Sequence, residues 1–191
     1  MHLLTEALHF LLMTLFDMFL LLVLLRFLFQ FMRVDFYNPF SQAIVKLTNP
    51  ALIPLRRFIP SIKGIDTAGA VLLFAVFLIK LTVSCLLKYQ TFPFIGGLII
   101  WSIGDIINLT LNVFFWAIII QAIMSWVSPA PGHPIHAILY GLTSPLTRPA
   151  RKYIKPISGI DFSPVAILLV LQLLIMLIAS PIRQLGILWS M

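Results

Sequence analysis

Charge is what this sequence has least of. Six Asp and Glu and thirteen Lys and Arg supply only 10% of its 191 residues, while 61% are apolar; soluble domains carry about 25% charge and 45–50% apolar residues. A soluble fold is excluded, and the chain is expected to be a membrane protein with no room for a separate soluble domain. Its one cysteine, Cys85, excludes an intrachain disulfide framework and the paired spacings used for zinc, redox work or haem attachment. Within an apolar run it reads as a small packing residue. Catalytic signatures are missing as well: there is no GxSxG, no HExxH, no phosphate-binding glycine loop and no carboxylate pair on one helix face. His133 and His136 form an HxxH pair whose nearest acid is Asp161, short of the three or four ligands that a metal needs. No enzyme activity, cofactor or metal is expected.

Strict alternation of apolar and polar residues is also absent, which argues against a barrel and leaves helices as the spanning elements. Four apolar runs are long enough to cross a bilayer: Leu8 to Phe29, Ala68 to Leu87, Ile99 to Trp126 and Val165 to Ile182. The opening, MHLLTEALHF, lacks the basic residues that begin a signal peptide, so the first run is expected to stay as a span. Basic residues concentrate in two passages, with Arg33, Lys46, Arg56, Arg57 and Lys63 in one and Arg148, Arg151, Lys152 and Lys155 in the other. The positive-inside rule places both passages in the cytoplasm and both termini outside. The net charge of +7 is accordingly assigned to cytoplasmic retention and anionic lipid, with no nucleic-acid contact expected.

Those two passages are copies of each other. TNPALIPLRRFIPSIKGID, from Thr48 to Asp66, aligns without a gap to TSPLTRPARKYIKPISGID, from Thr143 to Asp161, with nine of nineteen positions identical. The same 95-residue offset pairs Pro39 with Pro134, Asp17 with Asn112, Arg57 with Lys152 and Phe58 with Tyr153. The chain therefore divides into two units, residues 1–94 and 95–191. Each unit has two spans, so both enter the membrane in the same sense, as parallel repeats.

Each unit also carries an amphipathic passage. Asn38 before Pro39 is a helix start, and Phe40, Ala43, Ile44 and Leu47 form an apolar stripe opposite Ser41, Gln42 and Lys46; Ile135, Ile138, Leu139 and Leu142 repeat it. A second short helix is expected after Asn49-Pro50 or Ser144-Pro145, broken or restarted at Pro54 and Pro149. Stops follow at Pro60 and Pro156. Gly64-Ile65-Asp66 and Gly159-Ile160-Asp161 then supply a left-handed turn and a helix-capping carboxylate. The alternative is that each aspartate pairs with an arginine to fix a site at the membrane surface.

The Asn-Pro-Phe turn and the doubled Thr-(Asn/Ser)-Pro-x-x-x-Pro-x-Arg-(Arg/Lys)-(Phe/Tyr)-Ile leading to Gly-Ile-Asp resemble the YggT/YlmG family of small integral membrane proteins over nearly the whole chain. Departures lie in the second copy, where His133 replaces the asparagine, the second break shifts to Pro156, and Gln121 stands opposite Arg26. The resemblance implies a bacterial inner-membrane protein linked to osmotic stress tolerance, cell division and envelope upkeep. Plastid and cyanobacterial relatives are associated with nucleoid distribution and cytochrome b6 maturation. It implies no defined activity, and a shared fold would not supply one.

Charges inside the spans cost about 2.5–3.5 kcal/mol each near a helix centre, which makes them informative. Asp17 and Lys80, on antiparallel spans, are expected to form a structural ion pair. Arg26 is half a turn out of phase with Asp17 and is expected to reach toward the cytoplasmic headgroups, while Asp105 is expected to be wet. If Asp17, Lys80 and Asn112 instead face one axis, they would line a polar path in an oligomer, with Gly96, Gly97, Gly104, Ala117 and Ser125 permitting close contacts. The fold expected is all-α, with four spans in two parallel two-helix repeats and amphipathic elements on the cytoplasmic side. Arg56, Arg57, Arg151 and Lys152 are expected to engage anionic lipid headgroups or a membrane protein partner. An oligomeric ion or osmolyte conduit is the alternative.

Overall fold

The computed structural model describes residues 2–62, 64–127, 133–154 and 161–190. All of its regular structure is helical: α1 (His2–Phe31), α2 (Pro39–Phe58), α3 (Thr67–Tyr89), α4 (Ile95–Val127), α5 (Pro134–Tyr153), α6 (Ser163–Leu174) and α7 (Ser180–Ser190), with a π-turn at Ile175–Ala179 joining the last two into one rod. Four rods are long and apolar enough to cross a membrane: Leu4–Phe31, Thr67–Tyr89, Ile95–Met124 and Ser163–Ser190. α2 joins α1 to α3 and α5 joins α4 to α6, so both connecting helices sit at the same end of the bundle. They touch there, and Asn38 Nδ2 donates to Pro134 O across the repeats at 2.7 Å.

The core lies toward this end. Leu20, Leu24 and Leu28 of α1 repeat at one face of the helix and meet Phe77 of α3 and Ile118 of α4. Leu11, Leu15 and Met18 are exposed on the same helix, as suits a rod whose outer face meets lipid tails. Lipid gives apolar packing little driving force, so close approach of backbones has to hold the other end. Here the backbones of α4 and α7 come into close contact. A Cβ on Gly97 would stand 2.3 Å from Ser190 N, one on Gly104 2.7 Å from Arg183 N, and one on Gly186 2.2 Å from Trp101 N. Gly97 and Gly104, expected to serve contacts between copies, are thus consumed inside one chain, and a Cβ on Gly96 would meet only its own neighbour Phe94.

The fourth rod runs well past Ile182, where the apolar run suggested an end. Pro181 has no N–H to give and its ring crowds the carbonyl four residues back; the wider π-turn sits just before it, with Ser180 N donating to Ile175 O. Such a turn absorbs one residue, about 100° of rotation. Ala179 and Gly186 thereby stay on the buried line begun by Ile167 and Leu171. Arg183 lies within α7.

Both prolines inside each connecting helix also differ from expectation, because α2 and α5 each run unbroken for 20 residues through Pro50 and Pro54, and through Pro145 and Pro149. Prolines four apart lie on one side of a helix, so their lost hydrogen bonds and ring contacts fall on a single edge, and the helix can curve away from it without unwinding. The face of α2 turned inward also departs from the expected stripe. Phe40, Ala43 and Leu47 are exposed, whereas Ser41, Thr48 and Leu52 are buried. Apolar side chains lose nothing by facing lipid, while the Thr48 hydroxyl gains by finding partners inside; the Ser41 hydroxyl is buried without one. In α5 the expected Ile138, Leu139 and Leu142 are buried, together with Thr143 and Thr147, and Ile135 is half-buried.

Candidate functional site

Two groups of functional side chains emerge, one at the basic end and one within the span. At the basic end, Asn38 caps α2 by accepting from Phe40 N at 3.0 Å, and His133 takes the same place before α5, with Nδ1 accepting from Ile135 N at 3.3 Å. Beyond α2, Gly64 adopts φ +81° in the tight turn that closes Ile62 onto Ile65 by two backbone hydrogen bonds. The chain then re-enters the bundle at Asp66. Its Oδ1 caps α3 by accepting from Gly69 N at 3.2 Å, and its Oδ2 pairs with Arg56 Nη2 at 2.5 Å. In the second copy Asp161 Oδ1 accepts from Ser163 N at 2.9 Å and Oδ2 from Arg151 Nε at 2.8 Å. Cap and ion pair, which looked like alternatives, are held by one carboxylate in the first repeat; in the second, Asp161 also pairs with the arginine of its own copy and accepts from the first residue of α6, but the N-cap position is Phe162, which has no side-chain cap. Partial burial pushes the Asp161 carboxyl up, but the bonds from Ser163 and Arg151 outweigh it and hold the group below its ordinary range. Gly159 and Pro156 lie outside the described residues, as does the side chain of Ser125.

Arg56 and Arg151 are therefore clips between the connecting helix and the next span, each still about half exposed. The residues after them differ. Arg57 and Lys152 are exposed and have no partner among the described residues, and each precedes an aromatic ring, Phe58 or Tyr153, that is 84% exposed.

Arg26 does not reach toward headgroups. It is 7% exposed, and its Nη1 donates to Thr48 Oγ1 at 2.7 Å, Asn49 Oδ1 at 2.8 Å and Val45 O at 3.1 Å. Thr48 Oγ1 in turn donates to Ile44 O at 2.7 Å. This is the turn next to Pro50, where the helix loses a donor, and a guanidinium with five N–H groups suits the excess of acceptors. The second copy keeps the position with a neutral partner: Thr143 Oγ1 donates to Leu139 O at 2.7 Å and meets the Gln121 carboxamide at 2.5 Å. Thr48 and Thr143 were missed as anchors, although their identity at the repeat offset, opposite Arg26 and Gln121, was the available signal.

Within the span, Lys80 Nζ and Asp17 Oδ1 form the expected ion pair. Asp105, expected to be wet, is instead paired with Arg183, Nε to Oδ1 2.9 Å, with a side chain only 12% exposed. An isolated carboxylate there would be costly, and α7 brings the compensating cation because its glycine lies against α4. Both pairs line one cleft of about 760 Å³, together with Asn108 and Asn112. Asn112 Nδ2 donates to Asn108 O and Oδ1 at 2.8 and 3.0 Å. The cleft is polar toward these groups, and apolar where Phe40, Ile44, Ile138 and Leu142 close it. Among the described residues, no group of three or more His, Cys, Asp or Glu could hold a metal.

The CCB3/YggT family model matches residues 5–87 and again residues 100–182, two segments at the repeat offset. The chain is 43% identical to an uncharacterized protein of Pseudomonas aeruginosa, over 93% of this chain and 90% of that one. With the uncharacterized protein YggT of Escherichia coli strain K12 it shares 41% identity, covering 95% and 94% of the two chains. No solved structure matches it. Tandem family segments, four membrane-spanning rods and full-length bacterial relatives agree: this chain is a multi-pass membrane protein that belongs to the CCB3/YggT family.

Proposed function

We propose that this protein is a non-enzymatic inner-membrane factor supporting envelope integrity under osmotic stress, docking on anionic lipid headgroups or a membrane protein partner through its duplicated basic segments. The observation that carries the reading is the repeated exposed pair of cation and aromatic ring, Arg57-Phe58 and Lys152-Tyr153, at the same point of both connecting helices. Aromatic rings favour the interfacial region, and each basic residue near an anionic surface contributes about 1 kcal/mol. That is enough for docking and supplies no chemistry. The osmotic role follows from the family resemblance, and the cytoplasmic placement from the positive-inside rule.

Charge reversal at Arg56 and Arg151 would break the clips to Asp66 and Asp161, so Arg57→Glu with Lys152→Glu is the cleaner test. The double variant should fold, lose retained anionic phospholipid on purification and fail to restore growth after a salt upshift in cells lacking the gene. Unchanged lipid retention and full restoration of growth would remove the reading.

A second reading, an oligomeric ion or osmolyte conduit, is favoured by the cleft that holds Asp17, Lys80, Asp105 and Arg183. Flux through liposomes containing the purified protein, abolished by Asp17→Asn, supports it. Absence of flux removes it.

A further inference from the structure

A second cavity, of about 300 Å³, lies between the end of α1 and the first half of α2. Its polar lining is unusual for this protein. Three arginines line it, Arg26, Arg33 and Arg56, with Ser41 and Gln30, and no Asp or Glu is among its lining residues. Ser41 is 4% exposed and its Oγ has no hydrogen-bond partner. A buried hydroxyl without a partner is a free-energy cost that native proteins rarely carry without use.

The arginines are not fully committed to one another's neighbours. Arg26 uses Nη1 toward α2, which leaves its other N–H groups without partners among the described residues. Arg56 spends one nitrogen on Asp66. Arg33 has no side-chain partner there at all, and it occupies a costly backbone position. Val34 N donates to Phe29 O and Arg33 N to Gln30 O, so α1 ends in a Schellman turn with Arg33 at its left-handed residue, φ 54°. Glycine is the relaxed choice at that place, yet a long cation is held there, beside the cavity.

The cavity chemistry belongs to the first repeat. At the repeat offset, Arg26, Arg33 and Ser41 correspond to Gln121, Ser128 and His136, so of the three cations only Arg56 has a basic counterpart, Arg151. General basicity of both passages accounts for the surface cations, but not for this asymmetry.

We infer that this cavity binds a phosphate group, with Arg26, Arg33 and Arg56 supplying charge-assisted N–H donors and the Ser41 hydroxyl a fourth. Three cations with one balancing carboxylate on Arg56 leave about two positive charges, which a phosphate monoester dianion complements; planar guanidinium forks suit its oxygens. The phosphate could arrive on a lipid headgroup or free in solution, and the site is the same for both. It is independent of the docking reading, since neither Arg57 nor Lys152 lines the cavity.

The test uses the full chain in nanodiscs of phosphatidylcholine, with melting followed by thiol labelling of buried Cys85. Inorganic phosphate is titrated at constant ionic strength in one arm, and phosphatidic acid is included in the discs in the other. Arg33→Gly should weaken the response about tenfold, the loss of one charge-assisted contact, without lowering the melting temperature of the unliganded protein, because glycine relaxes the turn. Ser41→Ala should weaken it several-fold, and Lys88→Gln, an exposed cation outside both basic segments, should leave it unchanged. A response to inorganic phosphate that depends on Arg33 and Ser41 assigns a free phosphate, and one confined to phosphatidic acid with the same dependence assigns a lipid phosphate. No response in either arm, a response untouched by Arg33→Gly and Ser41→Ala, or one lost equally in Lys88→Gln overturns the inference.

Discussion

The role of Arg26 offers the sharpest quantitative test, because two physical pictures of the same residue predict opposite results. In one, a cation near the end of a span stretches toward headgroups and its removal changes little in detergent. In the structure, Nη1 is shared among Val45 O, Thr48 Oγ1 and Asn49 Oδ1 at 2.7–3.1 Å. Two N–H groups serve these three acceptors, and a hydrogen bond to a charged group contributes about 1.5–3 kcal/mol. Against that gross gain of about 3–6 kcal/mol stands the cost of burying the guanidinium, several kcal/mol before relaxation. Thr48 keeps its own bond to Ile44 O when the arginine is lost. Arg26→Leu should therefore cost about 2–3 kcal/mol, and Arg26→Gln, which copies the second repeat, about 1 kcal/mol. For a chain of this length that is a fall of roughly 5–10 °C for leucine and about 3 °C for glutamine. The assay requires no engineered probe, since the single cysteine, Cys85, is 3% exposed and reacts with a thiol-directed fluorophore only as the protein opens. A leucine variant that melts with wild type, or whose loss appears only when anionic lipid is present, would refute the internal anchor.

Three further outcomes follow from the geometry. Asp66→Asn keeps a capping oxygen for Gly69 N but loses the charge facing Arg56, and should cost about 1 kcal/mol, with Asp66→Ala costing about twice that in the same melting assay. Gly186→Ala would place a Cβ 2.2 Å from Trp101 N and should destabilise by about 1–3 kcal/mol as α4 and α7 separate; Gly96→Ala, which meets only the movable Phe94 ring, should be nearly neutral. Asp161 is held below its ordinary range, so the folded carboxylate binds its proton less readily than the unfolded one. Its contribution is present above the ordinary carboxylate pKa, near 4, and is lost as pH falls through the depressed folded value. Asp161→Asn should thus remove part of the stability difference between pH 6 and pH 3 and leave the pH 6–8 range flat, as measured by melting across buffers.

Much of the architecture is written in local pattern. The four apolar runs, the Asn38 cap, the Gly64 turn and the Asp66 cap depend on residues near one another in the chain, and the repeat on comparing the chain with itself at a 95-residue offset; both are legible from a single sequence. The ion pair of Asp17 with Lys80 was also legible, because two antiparallel spans of one repeat bring groups at matching depths together. What failed shares a cause. Arg26 turning inward, Asp105 finding Arg183, Gly97 and Gly104 closing on α7, and α2 continuing through two prolines all depend on which rod stands beside which, and at what rotation.

Composition and periodicity by themselves determined that this is a duplicated, all-helical membrane protein with two basic connecting segments. Only the tertiary structure decided which of those cations are internal ties, which remain free, and that two ion pairs and two asparagines share one cleft. The physical reason is that a bilayer demands satisfied polar groups without specifying the partner; the sequence states the demand, and helix rotation and contact answer it.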